Sequence, residues 1–274
     1  MWQRSTTLRT SRKRLCRHAM MMLNAGWMLR DQTACTHFGD VQPCALSVGR
    51  TGHKPQGVRH KESDRRGLAS MSPRYLAIAG GDALRRLKDS FFKHFRGETS
   101  ALAVSLNNHN LVYHVAPMLC NLSRAEKRQG WIIWEYIIPG VARLLKLVDQ
   151  ERLGVVRPFG MTQVTVEDCF GQAQVASGRD LDEVFRPVAE RLKGPGGPQE
   201  FQHRFITEDV PYGLVFFRSL GQVAGVKMPI TEALIRLASS LCVRDITGEG
   251  HTVERLGLGA LSDRDIVAIS VNAF

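Results

Sequence analysis

Residues 105–122 read SLNNHNLVYHVAPMLCNL, and this run predicts a helix from about Leu106 to Lys127. Its apolar residues are too numerous for a solvent-exposed helix: Leu106, Leu111, Val112, Val115, Met118 and Leu119. Its polar residues fall at spacings that place them in one stripe along such a helix: Asn107, Asn110, His114 and Asn121. A polar stripe on a buried helix must be satisfied by partners or must line a cavity. His114 is therefore either a proton-transfer group in a cavity or a core histidine bonded to a neighbouring carbonyl or hydroxyl.

Further helices are predicted on the C-terminal side of this run. Pro139, Pro211 and Pro229 are each expected in the first turn of a helix, the position that proline favours. Ser262-Asp-Arg-Asp265 resembles a capping box, with Asp in place of Glu or Gln, and predicts the start of a last helix.

The N-terminal side changes character near residue 82. Apolar residues at spacings of three and four predict an amphipathic helix from Asp82 to Phe95. The short run from Tyr75 to Ala79 is typical of one buried strand. Because no alternation of strands and helices follows residue 82, the sequence predicts a mainly α domain over residues 73–274.

Composition narrows the class of protein. The chain has 274 residues, of which 43% are apolar and 23% charged, as expected for a globular protein. It contains no uninterrupted run of about 18 apolar residues, so no membrane partner is expected. Six cysteines without a C-x-x-C pair argue against a zinc site, and no metal is expected.

The net charge of +11 belongs mostly to the N-terminal segment. Residues 1–72 hold 13 basic and 4 acidic residues, whereas the remainder is almost neutral, with 24 and 22. A nucleic-acid partner is therefore not expected, because it would need a basic face on the folded part.

Residues 1–72 are expected to form a poorly ordered basic leader or the remnant of a nucleotide-binding domain. The first 30 residues contain seven basic residues and no acid, which resembles a mitochondrial transit peptide. The alternative is an unfolded leader from a misplaced start or a truncated gene. The expected location is cytoplasmic, or mitochondrial if residues 1–30 are a transit peptide.

A second polar cluster, HRFITEDVPYG, spans residues 203–213. Arg204 and Asp209 precede a predicted helix start, where backbone N–H groups and the helix dipole favour anions. Asp209 could orient a histidine or act as a plain N-cap. Arg204 could hold a phosphate or carboxylate, or form a surface ion pair with Glu200 or Glu208.

Residues 82–258 resemble the C-terminal domain of the octopine/nopaline (opine) dehydrogenases. The similarity consists of five elements in the same order. They are SLNNHNLVYH at 105–114, VDQERL at 148–153, KGP at 193–195 with HRFITEDVPYG at 203–213, VKMP at 226–229 and TVERLGL at 252–258.

The resemblance implies a multihelical domain similar to the C-terminal domain of 6-phosphogluconate-type dehydrogenases. It implies an oxidoreductase that condenses an amino acid with a 2-oxo acid at the expense of NAD or NADP in reduced form. His114 would be the proton donor and acceptor, and Asp209 would pair with it. Arg204 would meet an anion such as the cofactor pyrophosphate, whereas Asn107 and Asn110 would line the same pocket.

The sequence departs from the family at two places. Leu111 and Val115 stand where proline is common, and the G-x-G-x-x-G turn that cradles a dinucleotide is absent from the sequence. Activity is therefore expected to be impaired in this chain. The alternative is a non-catalytic helical domain, derived from the same family, that binds a ligand or a partner.

Overall fold

The structure, a computed structural model, describes residues 10–11, 14–15, 74–77, 95–98, 100–172, 180–192 and 197–271. Two short strands, β1 (Arg74–Ala77) and β2 (Phe95–Glu98), pair in parallel. The α-helices are α1 (Ala101–Leu106), α2 (Asn110–Cys120), α3 (Leu122–Glu126), α4 (Pro139–Val156), α5 (Val166–Gln172), α6 (Leu181–Leu192), α7 (Arg204–Thr207), α8 (Val215–Val223), α9 (Pro229–Cys242), α10 (Ile246–Glu249) and α11 (Asp263–Val271). A 3₁₀ turn covers Ile133–Tyr136, and a π-helical turn covers Asp209–Leu214. The predicted mainly α class is confirmed.

Helix α2 lies at the centre of this arrangement. It contacts α4, α7, α9, the 3₁₀ turn and the π-helical turn. Its residues from Asn110 to Met118 are all buried. Burial on every side of α2 removes its polar side chains from water, so those side chains must find partners within the fold.

The predicted single helix from Leu106 to Lys127 is wrong, because the chain breaks after α1 and again after α2. In a continuous helix the Leu106 carbonyl would accept from the Asn110 N–H. Here Arg152 on α4 donates to that carbonyl at 2.8 Å, and the Asn108 side chain accepts from the Asn110 N–H at 3.0 Å. Side chains thus take both partners of the missing helical bond, and Asn107 lies in the break rather than on α2.

The predicted helix starts have different outcomes. Pro139 and Pro229 occupy the first turns of α4 and α9, as expected. The capping box is confirmed, because the Asp265 N–H donates to Ser262 Oγ at 3.2 Å and the Ser262 N–H donates to Asp265 Oδ2 at 3.4 Å. Pro211 does not open a helix: it lies inside the π-helical turn that runs directly into α8.

The N-terminal predictions are only partly within the described residues. The predicted strand overlaps β1, and Phe95 begins β2 instead of ending a helix, whereas the rest of the helix predicted from Asp82 lies outside the described residues.

Four residues of the predicted leader are described, and all four are helical. Ser11 Oγ donates to the Gly257 carbonyl at 2.7 Å, and Arg14 donates to the Arg255 carbonyl at 3.1 Å. Leu15 is fully buried in the main hydrophobic core. At these positions the N-terminal segment packs on the helical domain, while the boundary between residues 72 and 73 stays a prediction.

Within the described ranges, no helix combines the length and the apolar character that a bilayer crossing requires.

Candidate active site

A histidine and an aspartate that are 95 positions apart in sequence meet beneath the surface. His114 lies in the middle of α2 and Asp209 begins the π-helical turn. The His114 Nδ1 atom lies 2.8 Å from Asp209 Oδ2, and both side chains are about 1% exposed. Because a carboxylate only accepts hydrogen bonds, Nδ1 carries the proton and donates it. The remaining ring nitrogen of neutral His114, Nε2, is then an acceptor.

Several polar atoms of the predicted site residues are buried without a hydrogen-bond partner in the described structure. They include His114 Nε2, Asp209 Oδ1 and both amide atoms of Asn107. An unsatisfied buried polar group costs about 1–3 kcal/mol. Such a cost is typical of a place where a ligand completes the bonding, so these atoms mark a candidate binding site.

The electrostatics of His114 favour a neutral imidazole. Burial lowers the pKa of His114 below its ordinary value, the hydrogen bond and charge of Asp209 act in the opposite direction, and the Arg204 charge lowers it again. The lowered pKa keeps Nε2 unprotonated at neutral pH, so this nitrogen is available as a proton acceptor. The Asp209 carboxylate is placed to stabilise the imidazolium that such a transfer would produce.

The structure does not support the two structural alternatives, an N-cap role for Asp209 and a carbonyl or hydroxyl partner for His114. Asp209 does not act as an N-cap, because its Oδ1 has no partner in the described structure and its Oδ2 contacts His114. The His114 Nδ1 bond goes to a carboxylate rather than to a carbonyl or hydroxyl.

The other predicted site residues fall at different places. Arg204 begins α7, is half-buried, and exerts its charge on both His114 and Glu208. Asn110 begins α2, and its Oδ1 accepts a hydrogen bond from the Tyr113 hydroxyl. Asn121 follows the end of α2, where its amide caps the Pro117 carbonyl at 2.9 Å, so it does not belong to the polar stripe.

Aromatic rings around His114 were missed by sequence reasoning. The Phe205 ring stacks on the imidazole with centroids 3.7 Å apart and planes 14° apart. The Tyr113 ring meets it edge-on at 4.7 Å. Nothing in the spacing of Phe205 distinguishes it from an ordinary core residue.

A buried polar network holds the break before α2. Arg152, which is fully buried, pairs with Asp149 at 2.7 Å and donates to the carbonyls of Leu106 and Val164. His109 Nε2 lies 2.9 Å from the same Val164 carbonyl, and burial with the Arg152 charge lowers the pKa of His109 to about 3. This network fixes the backbone that carries Asn107.

An open cavity of about 550 Å³ lies on one side of the site. It is lined by Arg128, Gly197, Pro198, Gln199, Glu200 and His203. His203 lines this cavity and also packs edge-on against Phe205 at 4.4 Å, and Phe205 in turn stacks on His114. The cavity was not predicted from the sequence.

Relatives of known name match the same part of the chain. An opine dehydrogenase of Arthrobacter sp. (strain 1C) is 31% identical over 187 residues, which are 68% of this chain and 52% of the relative. A vitopine synthase of Allorhizobium ampelinum is 23% identical over 196 residues, or 70% of this chain and 53% of the relative. The chain thus spans about half the length of the curated relatives it matches.

Solved structures show the same fold. An octopine dehydrogenase in complex with NADH and L-arginine superposes with a TM-score of 0.55 at 18% identity, over 71% of this chain and 58% of that one. Octopine dehydrogenase with NADH and pyruvate gives a TM-score of 0.52. Residues 98–242, more than half of the chain, match the family model described as NAD/NADP octopine/nopaline dehydrogenase, alpha-helical domain. The chain therefore belongs to the octopine/nopaline dehydrogenase family.

Proposed function

We propose that this chain supplies the substrate-binding and proton-transfer part of an opine-dehydrogenase reaction. In that reaction the amino group of an amino acid condenses with the carbonyl of a 2-oxo acid, and the resulting C=N bond is reduced to a secondary amine. The observation that carries the proposal is the buried His114–Asp209 pair, in which His114 Nε2 has no hydrogen-bond partner in the described structure.

His114 is the proposed general base and acid. Neutral Nε2 takes a proton from the attacking amine and returns it to the carbonyl oxygen, which gives a carbinolamine. A second transfer of a proton from nitrogen to the hydroxyl releases the oxygen as water and leaves the C=N bond. Asp209 holds the Nδ1–H tautomer and stabilises the imidazolium between uptake and release of each proton. Such proton transfer typically contributes about 10²–10⁴-fold to a rate.

The neighbouring polar residues are proposed as ligands. The Asn107 amide, buried without partners in the described structure, offers both a donor and an acceptor to a substrate carboxylate or amine. Asn110 contributes its amide nitrogen, because its oxygen is bonded to Tyr113. Arg204 lies at a half-buried position suited to an anionic group.

NAD or NADP in reduced form, when bound, supplies the hydride. Arg204 fits the cofactor phosphates in charge, but the sequence has no G-x-G-x-x-G turn to surround them with backbone N–H groups. Each charged hydrogen bond is worth about 1.5–3 kcal/mol, so several missing bonds weaken binding by orders of magnitude. We therefore propose that this chain binds its amino acid or oxo acid better than its cofactor, and that turnover is impaired.

Titrations of the purified full chain test these statements. Pyruvate and L-arginine serve as probes by calorimetry, and NADH by its fluorescence. We expect one or both small molecules to bind, with Asn107→Ala weakening that binding and the matched control Asn121→Ala leaving it unchanged. Asn121 is the right control because its amide is already bonded to the Pro117 carbonyl.

Two results would contradict the proposal. Micromolar affinity for NADH would show that the cofactor site is intact and that weak cofactor binding does not limit turnover. Binding of the probes that survives Asn107→Ala and His114→Gln alike would favour the alternative, a non-catalytic ligand- or partner-binding domain.

A further inference from the structure

The His114 imidazole is restrained on three sides. Asp209 holds Nδ1 at 2.8 Å, the Tyr113 ring meets it edge-on, and the Phe205 ring covers one face at a centroid distance of 3.7 Å. Nε2 is the part of the ring that none of these contacts uses, and it has no hydrogen-bond partner in the described structure.

The bond to Asp209 alone does not fix where Nε2 points. With a single hydrogen bond, the ring can still rotate about the line from Nδ1 to Oδ2. This rotation changes the direction in which the Nε2 lone pair points. A proton is transferred well only in a near-planar, short hydrogen-bond geometry. A second restraint on the plane of the ring is therefore required.

Phe205 has the geometry to provide that restraint. Its ring lies within 14° of parallel to the imidazole, and the residue is 8% exposed, so it cannot move away without opening the core. The Phe205 backbone N–H donates to His203 Nδ1 at 3.3 Å, and the His203 ring packs edge-on against the Phe205 ring at 4.4 Å. Phe205 is thus itself held by contacts other than the one with His114.

We infer that Phe205 is a positioning residue that fixes the plane of the His114 imidazole and so aims Nε2 at the reacting carbonyl. The restraint of the ring is independent of the reaction, but the statement that Nε2 is aimed at a reacting carbonyl rests on the proposed function. The aromatic ring, rather than apolar bulk, is the required property, because a flat face restrains a second flat ring and a flexible chain does not.

Nuclear magnetic resonance of the histidine rings in the full chain tests this role without any ligand. In the wild-type protein His114 should show only the Nδ1–H tautomer and a ring order parameter near that of rigid backbone, about 0.85. Phe205→Met should lower the order parameter, whereas the Nδ1–H tautomer should persist because Asp209 still accepts from Nδ1. The variant should also raise the His114 pKa as water reaches the ring, with Asp209, Arg204 and His203 as the charged or titratable groups that act on it.

Two matched variants separate positioning from mere packing. Phe205→Tyr keeps a flat ring and should retain the wild-type tautomer, order parameter and pKa. Phe217→Met removes a ring that is more deeply buried than that of Phe205 and packs edge-on against Phe216, and it should leave His114 unchanged.

Retention of the wild-type ring order parameter in Phe205→Met, with a native circular-dichroism spectrum, would overturn the inference. If that variant does not fold, a wild-type ring order parameter below about 0.6 would overturn it equally, since such a ring is not fixed. Failure of pyruvate and L-arginine to bind would instead contradict the proposed function, and it would leave these ring measurements valid.

Discussion

His109 should make this protein unstable in mild acid. It is 4% exposed, its Nε2–H donates to the Val164 carbonyl, and burial beside Arg152 lowers its pKa from 6.5 to about 3. When folding lowers the pKa of a histidine, the unfolded chain binds a proton at a higher pH than the folded chain does. Its contribution to stability is therefore complete above pH 6.5 and is lost as the pH falls toward 3.

The size of this effect follows from the pKa difference. Each pH unit between the two pKa values costs about 1.4 kcal/mol, so His109 removes about 2 kcal/mol of unfolding free energy between pH 7 and pH 5. In His109→Gln the side-chain amide can still donate to the Val164 carbonyl but cannot ionise. The variant should therefore lose about 2 kcal/mol less than the wild-type chain over that interval.

Urea denaturation at pH 7 and pH 5 measures the difference directly. The other histidines with lowered pKa values, His114, His203 and His251, are common to both proteins and cancel in the comparison. His203→Gln is the control, because that half-buried residue should give a smaller, solvent-screened effect. Equal pH dependence of the wild type and His109→Gln would refute the reasoning.

Two further predictions concern stability. Leu15→Ala should lower the unfolding free energy by about 2–5 kcal/mol in urea denaturation, because Leu15 is fully buried in the main core; a change below about 0.5 kcal/mol would show that Leu15 is not part of that core. Val243→Gly should raise the thermal midpoint, since Val243 ends α9 at a φ of +52° with its side chain 91% exposed. Release of this left-handed strain, about 1–2 kcal/mol, should outweigh the added backbone entropy of glycine, and a lower midpoint would contradict this.

Local patterns predicted those parts of the fold whose cause is local. The capping hydrogen bonds at Ser262 and the first-turn prolines of α4 and α9 depend on residues a few positions apart, so the sequence contains their signal. The break before α2 depends on Arg152, 46 positions away from Leu106, and no spacing rule within residues 105–122 contains it.

The candidate site shows the same division. Periodicity selected His114 as a buried polar residue but could not choose its partner; the resemblance to a family paired it with Asp209, and the two side chains do meet. The contact with Phe205 is absent from any pattern because stacking depends on the orientation of α7 relative to α2. Pro211 misled the prediction, because the π-helical turn that contains it continues directly into α8, so this proline lies inside a helical segment rather than at its start.

That π-helical turn restricts how related genes can vary in length around it. Successive residues of an α-helix are rotated by about 100°, so one residue deleted between Asp209 and Leu214 would turn Asp209 away from His114 while α8 stayed packed. An inserted residue would rotate it in the opposite direction. Substitutions can accumulate in this segment while the histidine keeps its aspartate, whereas a single-codon insertion or deletion separates them at once.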